Sequence, residues 1–170
     1  VAIILLISYE GVRGTNGLKH RGLTGNAAIA AAIGMDVLFG SSAVSGTTDP
    51  KVISLAIMAF FYSLARELIK DIEDMEGDID RNTVPRSIGV DNARSIAWIF
   101  TMAAFISLFL PFILGVFPTE HAILVSPGGL LLMLVKSKLF IGEDRAAQRL
   151  IKRSLQISMI GVIASAIIIG

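Results

Sequence analysis

The stretch IAWIFTMAAFISLFLPFILGV, residues 96–116, decides the fold class of this chain. It contains no charged side chain, and it is as long as a helix must be to cross a bilayer, about 20 residues. A segment in hydrocarbon has to satisfy its own backbone hydrogen bonds, which a continuous apolar run does best as an α-helix. The stretch therefore predicts a membrane-spanning helix.

Working outward, four more apolar runs are predicted to span. They cover residues 25–44, 52–69, 122–135 and 154–170. The run from 122 is short and is interrupted by SPGG, so we expect a broken helix that residues 139–141 complete.

Residues 1–9 are apolar but too short to span. We expect them to be the last turns of a helix whose start is absent, so that residues 1–170 are the C-terminal portion of a longer membrane protein. The prediction is an all-α polytopic transmembrane helical bundle with five full spans and a truncated N-terminal helix end. We expect one domain over 1–170, with its functional loop at residues 66–94.

Composition agrees with this class. Hydrophobic residues make up 54% of the chain and charged residues 17%, and the mean hydropathy is +0.72. These values argue against a water-soluble enzyme, a disordered chain and a nucleic-acid binder. The chain has no cysteine and two histidines, which argues against thiolate chemistry and a histidine-based metal site.

The basic residues indicate the orientation. All 15 except Lys51 lie in residues 9–24, 66–94 and 136–153. Alternation of five spans puts these three regions on one face, and excess Lys and Arg in short loops mark the cytoplasmic side. We expect a cell-membrane protein with cytoplasmic loops there, and contact between the cluster at 136–153 and acidic membrane lipid.

The segment that carries chemistry reads RELIKDIEDMEGDIDRNTVPR, residues 66–86. Asp71, Asp74 and Asp78 follow one another at offsets of three and four, so on a helix they share one stripe and repel each other. Mg²⁺ prefers such hard oxygen ligands and often bridges one or two carboxylates to a substrate phosphate. Gly77 is expected to loosen the helix just before Asp78. A solvated acidic loop is the open alternative.

Two strings resemble a known family. KDIEDMEGD, residues 70–78, followed by RNTVPRSIG resembles the second aspartate-rich motif of the UbiA superfamily of intramembrane prenyltransferases. The form is closest to archaeal members of the digeranylgeranylglyceryl phosphate synthase type. LKHRGLTGN, residues 18–26, is similar to the basic loop that precedes a spanning helix in that family. The two matches cover about residues 17–90.

The resemblance implies a site. Asp71, Asp74 and Asp78 would be the catalytic metal ligands of the second motif. Five other side chains would contact substrate: Lys70, Arg66, Lys19, Arg21 and Asn26. The family's first motif, NDxxDxxxD, does not occur in these residues, so we expect it N-terminal to Val1 and expect this piece alone to be inactive.

The implied reaction is Mg²⁺-dependent transfer of a prenyl group, by preference geranylgeranyl, from its diphosphate to a lipophilic acceptor. The preferred acceptor is geranylgeranylglyceryl phosphate in archaeal ether-lipid synthesis, and a quinone-precursor ring is the alternative. A cation transporter with Asp36 and the acidic segment along its ion path is the alternative from another class. A CDP-alcohol phosphotransferase is disfavoured because its DGxxAR motif is not in the sequence. No protein partner is inferred.

Overall fold

The computed structural model describes residues 7, 17–18, 22–46, 49–77 and 82–169. These residues form helices and turns, with no strand among them. We number the α-helices of this part of the chain from α1 to α6. Their bounds are α1 Leu23–Ser45, α2 Pro50–Glu73, α3 Val84–Ile88, α4 Val90–Ile113, α5 Ala122–Phe140 and α6 Asp144–Ile169, with a 3-10 turn at Thr119–His121 before α5.

Five of these helices, all except the short α3, are long and apolar enough to cross a membrane. The all-α fold and the five predicted spans are therefore confirmed. The predicted N-terminal helix end lies outside the described residues, apart from Ile7.

Helix α2 is the centre of the bundle. Its start is fixed locally, because the Asp49 side chain accepts a 2.7 Å hydrogen bond from the Lys51 backbone N–H and Pro50 occupies the first turn. It packs against α1, α4 and α6, while α5 packs on α4 and α6. Tyr62, Leu68 and Ile69 on α2 are almost fully buried. The position of α2 thus determines where the carboxylates at its end lie.

The predicted break at SPGG is wrong, because α5 runs without interruption through Pro127. The two glycines are contact points. A Cβ on Gly128 would overlap the Ser158 hydroxyl on α6, and a Cβ on Gly129 would come 2.7 Å from the Phe109 ring on α4. Small residues let helix backbones approach closely in a membrane, so this sequence is a packing site.

Two predicted span starts are also wrong. Helix α4 begins at Val90 and not at residue 96, and α6 begins at Asp144 and not at residue 154. The physical reason is that charged side chains at these helix starts pair with one another. Arg94 donates from Nε (3.3 Å) and Nη2 (2.9 Å) to the two carboxylate oxygens of Asp144. Helical structure therefore continues beyond the apolar runs.

A chain of buried hydroxyls connects α2, α5 and α6. The Ser154 hydroxyl donates to the Gly128 carbonyl oxygen at 2.7 Å. Its oxygen lies 2.8 Å from the Tyr62 hydroxyl, which lies 3.2 Å from that of Ser158. Because Ser154 gives its proton to the carbonyl, Tyr62 donates to Ser154, and Ser158 donates to Tyr62. These bonds fix the antiparallel register of α2 and α6.

Candidate functional site

Asp71 and Asn26, two of the predicted site residues, meet at the end of α2. The Asn26 amide nitrogen donates a 2.7 Å hydrogen bond to a carboxylate oxygen of Asp71. Both residues are buried, with Asn26 5% and Asp71 8% exposed. A carboxylate in such a place is costly unless it is paired, so the amide stabilises the charge and fixes the orientation of the carboxylate.

The packing of α1 on α2 brings this pair together. Gly22 precedes α1 at a φ of 49° and lies so close to the chain after the motif that a Cβ would come 3.2 Å from the Asn82 carbonyl oxygen. Farther along α1, a Cβ on Gly34 would come 3.1 Å from the Ala56 carbonyl oxygen of α2. Close contact at both points holds the first turn of α1 beside the last turn of α2.

Asp74 lies outside the helix proper. Helix α2 ends at Glu73, before the predicted loosening at Gly77, and Asp74 forms its C-terminal cap with a backbone N–H bond of 2.9 Å to the Lys70 carbonyl. The Gly77 N–H then bonds the Asp74 carbonyl at 3.0 Å, which closes a tight turn. Asp74 is exposed at this turn. The helical stripe therefore holds only as far as Asp74, and Asp78 lies outside the described residues.

Residues 73–75 at the end of α2 are held by side chains from α6 and from α3. Glu73 accepts hydrogen bonds from Arg145 Nε at 2.8 Å and from Gln148 Nε2 at 3.3 Å, both on α6. Arg86 Nη2 donates to the Met75 carbonyl oxygen at 2.7 Å. Asp71 thus faces α1 while Glu73 faces α6, and the turn between them is tied to the chain that follows it.

The two basic candidates on α2 differ in position. Lys70 is exposed and lies four residues before Asp74, so the two side chains share one face. Arg66 precedes Asp71 by five residues, which places it about 140° around the helix at 3.6 residues per turn. Arg66 Nη1 pairs with Glu67 Oε1 at 2.7 Å. Of these two, Lys70 is the cation beside the motif.

Three further residues that the sequence singled out are not seen at this site. Lys19 and Arg21 lie outside the described residues. Asp36 is exposed on α1. Three residues that contact this segment were not among the predicted site residues. They are Arg86, Gln148 and Arg145, the last of which was expected only to contact membrane lipid as part of the cluster at 136–153. The sequence shows that Arg86 and Arg145 are basic, but it does not indicate which acceptor any of the three side chains contacts.

One cavity adjoins the end of α2, and a second lies along the first half of the same helix. A polar one of about 550 Å³ lies between the end of α2 and the starts of α4 and α6, and is lined by Glu73, Glu76, Arg94, Asp144 and Arg149 among others. An apolar one of about 460 Å³ lies between α1 and α2, and its lining includes Gly34, Leu38, Ala56, Phe60 and Phe61. Asp71 and Asn26 belong to the same α1–α2 interface as the apolar cavity.

The sequence profile of the UbiA prenyltransferase family matches residues 1–160. This chain belongs to that family. The resemblance seen in the sequence is thereby confirmed, and with five apolar helices the chain is an integral membrane protein.

Curated relatives point to one branch of the family. The chain is 33% identical over 148 residues to the digeranylgeranylglyceryl phosphate synthase of Haloquadratum walsbyi, covering 86% of this chain and 50% of the relative. It is 34% identical to the enzyme of that name from Archaeoglobus fulgidus, over 84% of this chain and 50% of the relative. It is 30% identical to the enzyme of that name from Methanopyrus kandleri, over 87% of this chain and 55% of the relative. The chain thus spans about half the length of these relatives. No solved structure matches it.

Proposed function

We propose that the full-length protein is a Mg²⁺-dependent intramembrane prenyltransferase. It moves a geranylgeranyl group from its diphosphate to geranylgeranylglyceryl phosphate. Membership in the UbiA family and the printed names of the relatives support the reaction and the acceptor. The single observation that carries the site is the buried Asp71–Asn26 pair at the end of α2, in the same α1–α2 interface that holds an apolar cavity farther along both helices.

The described carboxylates fit a metal that is shared with substrate. Among the residues that the structure places, no three His, Asp or Glu side chains are grouped to hold an ion. Mg²⁺ is usually bound through one or two carboxylates, several waters and substrate phosphates, and does not need a closed protein cage. Asp71 and Asp74, one helical turn apart, supply the hard oxygen ligands, and Asp78 is proposed as the third. When bound, the ion neutralises charge on the departing diphosphate.

The side chains around the carboxylates have distinct proposed roles. Asn26 orients the Asp71 carboxylate through its amide N–H, which is a positioning role. Lys70, on the face of Asp74, contacts the diphosphate as a point charge. Lys19 and Arg21 are proposed as further phosphate contacts from the loop before α1.

The apolar cavity between α1 and α2 is proposed to hold the isoprenoid chain. Its described lining is hydrocarbon and aromatic, including Phe60 and Phe61. In the reaction, the bond from the allylic carbon to the diphosphate oxygen breaks, and the electron pair leaves with diphosphate. The acceptor hydroxyl oxygen bonds that carbon to form an ether, and its proton passes to the released diphosphate. Exclusion of water by the apolar lining protects the allylic carbon from hydrolysis.

The site is proposed to face the cytoplasm across the cell membrane. The ends of the described helices that carry Asp71, Arg94 and Arg145 lie on one side of the bundle, and this side holds most of the basic residues. Excess basic residues in short loops stay cytoplasmic. Water-soluble Mg²⁺ and diphosphate would then exchange with the cytoplasm.

The decisive experiment uses the full-length protein in nanodiscs with labelled geranylgeranyl diphosphate. We expect release of diphosphate and an ether product with geranylgeranylglyceryl phosphate, both lost when EDTA removes Mg²⁺. Prenylation of an aromatic quinone precursor in its place would overturn the acceptor. Cation uptake into vesicles without diphosphate release would overturn the transferase and favour the transporter.

A further inference from the structure

A cleft between α2 and α6 is distinct from the site at Asp71. The register of the two antiparallel helices is fixed at two levels, by Glu73 with Arg145 and by Tyr62 with Ser154. Between these levels α2 goes back eleven residues while α6 advances nine. Arg66 on α2 therefore lies near the level of residues 150–152 on α6, and Lys152 lines the same cleft.

Both cations line this cleft, which has a volume of about 230 Å³. Its remaining lining is mostly apolar and comes from three helices. The lining residues other than the two cations are Ile33, Ala59, Tyr62, Ser63, Ile151 and Leu155. The cleft thus combines a hydrocarbon wall with positive charge at one level.

The two cations of the cleft differ in their protein partners. Arg66 pairs with Glu67, but 41% of its side chain remains exposed. Lys152 is exposed, and within the described part of the chain it has neither an ion pair nor a hydrogen bond. Lys152 thus places an uncompensated positive charge beside a hydrocarbon wall, where the lower dielectric constant makes such a charge costly. An anion in the cleft would offset this cost and could also contact the exposed part of Arg66.

The depth of the cleft indicates which anion. Arg66 lies seven residues before Glu73, about 10 Å along the helix at 1.5 Å per residue. Long basic side chains at that depth extend toward the headgroup layer. Basic pockets between membrane helices on the cytoplasmic side bind the phosphate heads of anionic lipids.

We propose that this cleft is a binding site for one anionic membrane lipid. Its phosphate lies between Lys152 and Arg66, and its hydrocarbon chain lies against Ile33, Ile151 and Leu155. Because the lipid would contact α2 and α6 together, it holds the helix that carries Asp71 against α6. The cleft does not include Asp71, which lies about 140° around α2 from Arg66, whereas Lys70 lies one turn from Arg66 on the same face.

The test titrates delipidated full-length protein, without donor or acceptor, with phosphatidylglycerol or phosphatidylcholine. Native mass spectrometry counts the bound lipid, and the thermal unfolding midpoint reports its effect. We expect one retained phosphatidylglycerol and a raised midpoint, and no such effect of phosphatidylcholine. Lys152→Gln should weaken binding about tenfold, as expected for one lost charge-assisted contact. Arg153→Gln is the matched control, because Arg153 is an exposed neighbour outside the cleft lining, and it should leave binding unchanged.

Location is tested by a photoactivatable phosphatidylglycerol, whose cross-links should fall within residues 59–66 or 151–155. The proposal would be overturned if Lys152→Gln bound phosphatidylglycerol as well as the wild type did. It would also be overturned if Lys152→Gln and Arg153→Gln lost binding equally, or if all cross-links fell outside these two ranges. Displacement of the lipid by much lower concentrations of geranylgeranylglyceryl phosphate would assign the cleft to the acceptor instead. None of these readouts requires turnover, so an inactive protein would overturn the proposed reaction and leave this test intact.

Discussion

The two ends of the bundle are stabilised in different ways. At the end that carries the motif, side chains of distant helices pair with each other: Asn26 with Asp71, Arg145 with Glu73, and Arg94 with Asp144. At the opposite end fewer such pairs occur among the described residues, and one of them, between His121 Nδ1 and the Ser165 hydroxyl at 2.9 Å, joins the start of α5 to the end of α6. There, Asp49 caps its own helix, and Lys51 lies 5.9 Å from the centre of the Phe117 ring.

This difference indicates which end requires exact geometry. Polar pairs between helices have directional geometry and fix the relative positions of their helices, whereas local caps stabilise one helix at a time. The motif end thus has the directional contacts that the proposed metal and diphosphate site would need. Substitutions at the two ends should therefore separate effects on activity from effects on stability.

The largest effect is expected for Asp71→Ala in the full-length protein. Removal of a proposed metal ligand should lower kcat more than about a hundredfold, as measured by release of diphosphate. Glu120→Gln, an exposed acid at the opposite end, is the matched control and should keep full activity. Retention of Mg²⁺-dependent turnover by Asp71→Ala would refute its role.

The next largest effect is expected on stability at the opposite half of α6. A Cβ on Gly161 would overlap the Leu124 carbonyl of α5, so Gly161→Val should destabilise the protein by about 2 kcal/mol through overpacking. The thermal unfolding midpoint should fall, while the Mg²⁺ concentration for half-maximal activity stays constant in the folded fraction. Gly40→Val, at an open position on α1, is the control. Equal midpoints for the two variants would contradict the close approach.

Asn26→Ala tests whether the amide positions Asp71. The apparent affinity for Mg²⁺ should fall about tenfold, the usual size of an effect from an outer-shell partner of a metal ligand. Asn26→Asp would place two carboxylates together and should not restore the Mg²⁺ affinity. Asn26→Gln keeps an amide donor and should restore part of that affinity. An unchanged Mg²⁺ dependence in Asn26→Ala would show that the hydrogen bond serves folding only.

Arg94 and Asp144 should show coupling in a double-mutant cycle. Both side chains are mostly buried, 18% and 13% exposed, so removing either one leaves a charge without its partner. We expect a coupling free energy of unfolding of about 1 kcal/mol between Arg94→Gln and Asp144→Asn. Strictly additive effects would mean that the pair does not join the starts of α4 and α6.

The smallest effect is expected for Lys51→Ala at the opposite end. Lys51 is exposed and the Phe117 ring is buried, and their contact should contribute about 0.5 kcal/mol. We expect a slight fall in the unfolding midpoint and no change in kcat or in Mg²⁺ dependence. A loss of activity there would break the proposed division between the two ends.

The sequence predicted the fold class and the number of spans because apolar runs of bilayer length have few alternatives in a membrane. It placed Asp71 and Asn26 on one face of the membrane by alternation of the spans, and the structure brings them together. It failed at helix ends, where the charged residues of α4 and α6 are helical because they pair across the bundle. Pairs such as Glu73 and Arg145 are 72 residues apart, and only the packed register of α2 and α6 brings them into contact.

The Tyr62 hydroxyl chain has a consequence for how substrates enter. It joins α2, α5 and α6 in the apolar interior, where water cannot replace a broken hydrogen bond. These hydrogen bonds therefore resist relative movement of the three helices. A lateral opening for the proposed isoprenoid substrate would therefore be expected at another seam, and the seam between α1 and α2, which holds the apolar cavity and ends at the Asn26–Asp71 pair, is the place to look for it.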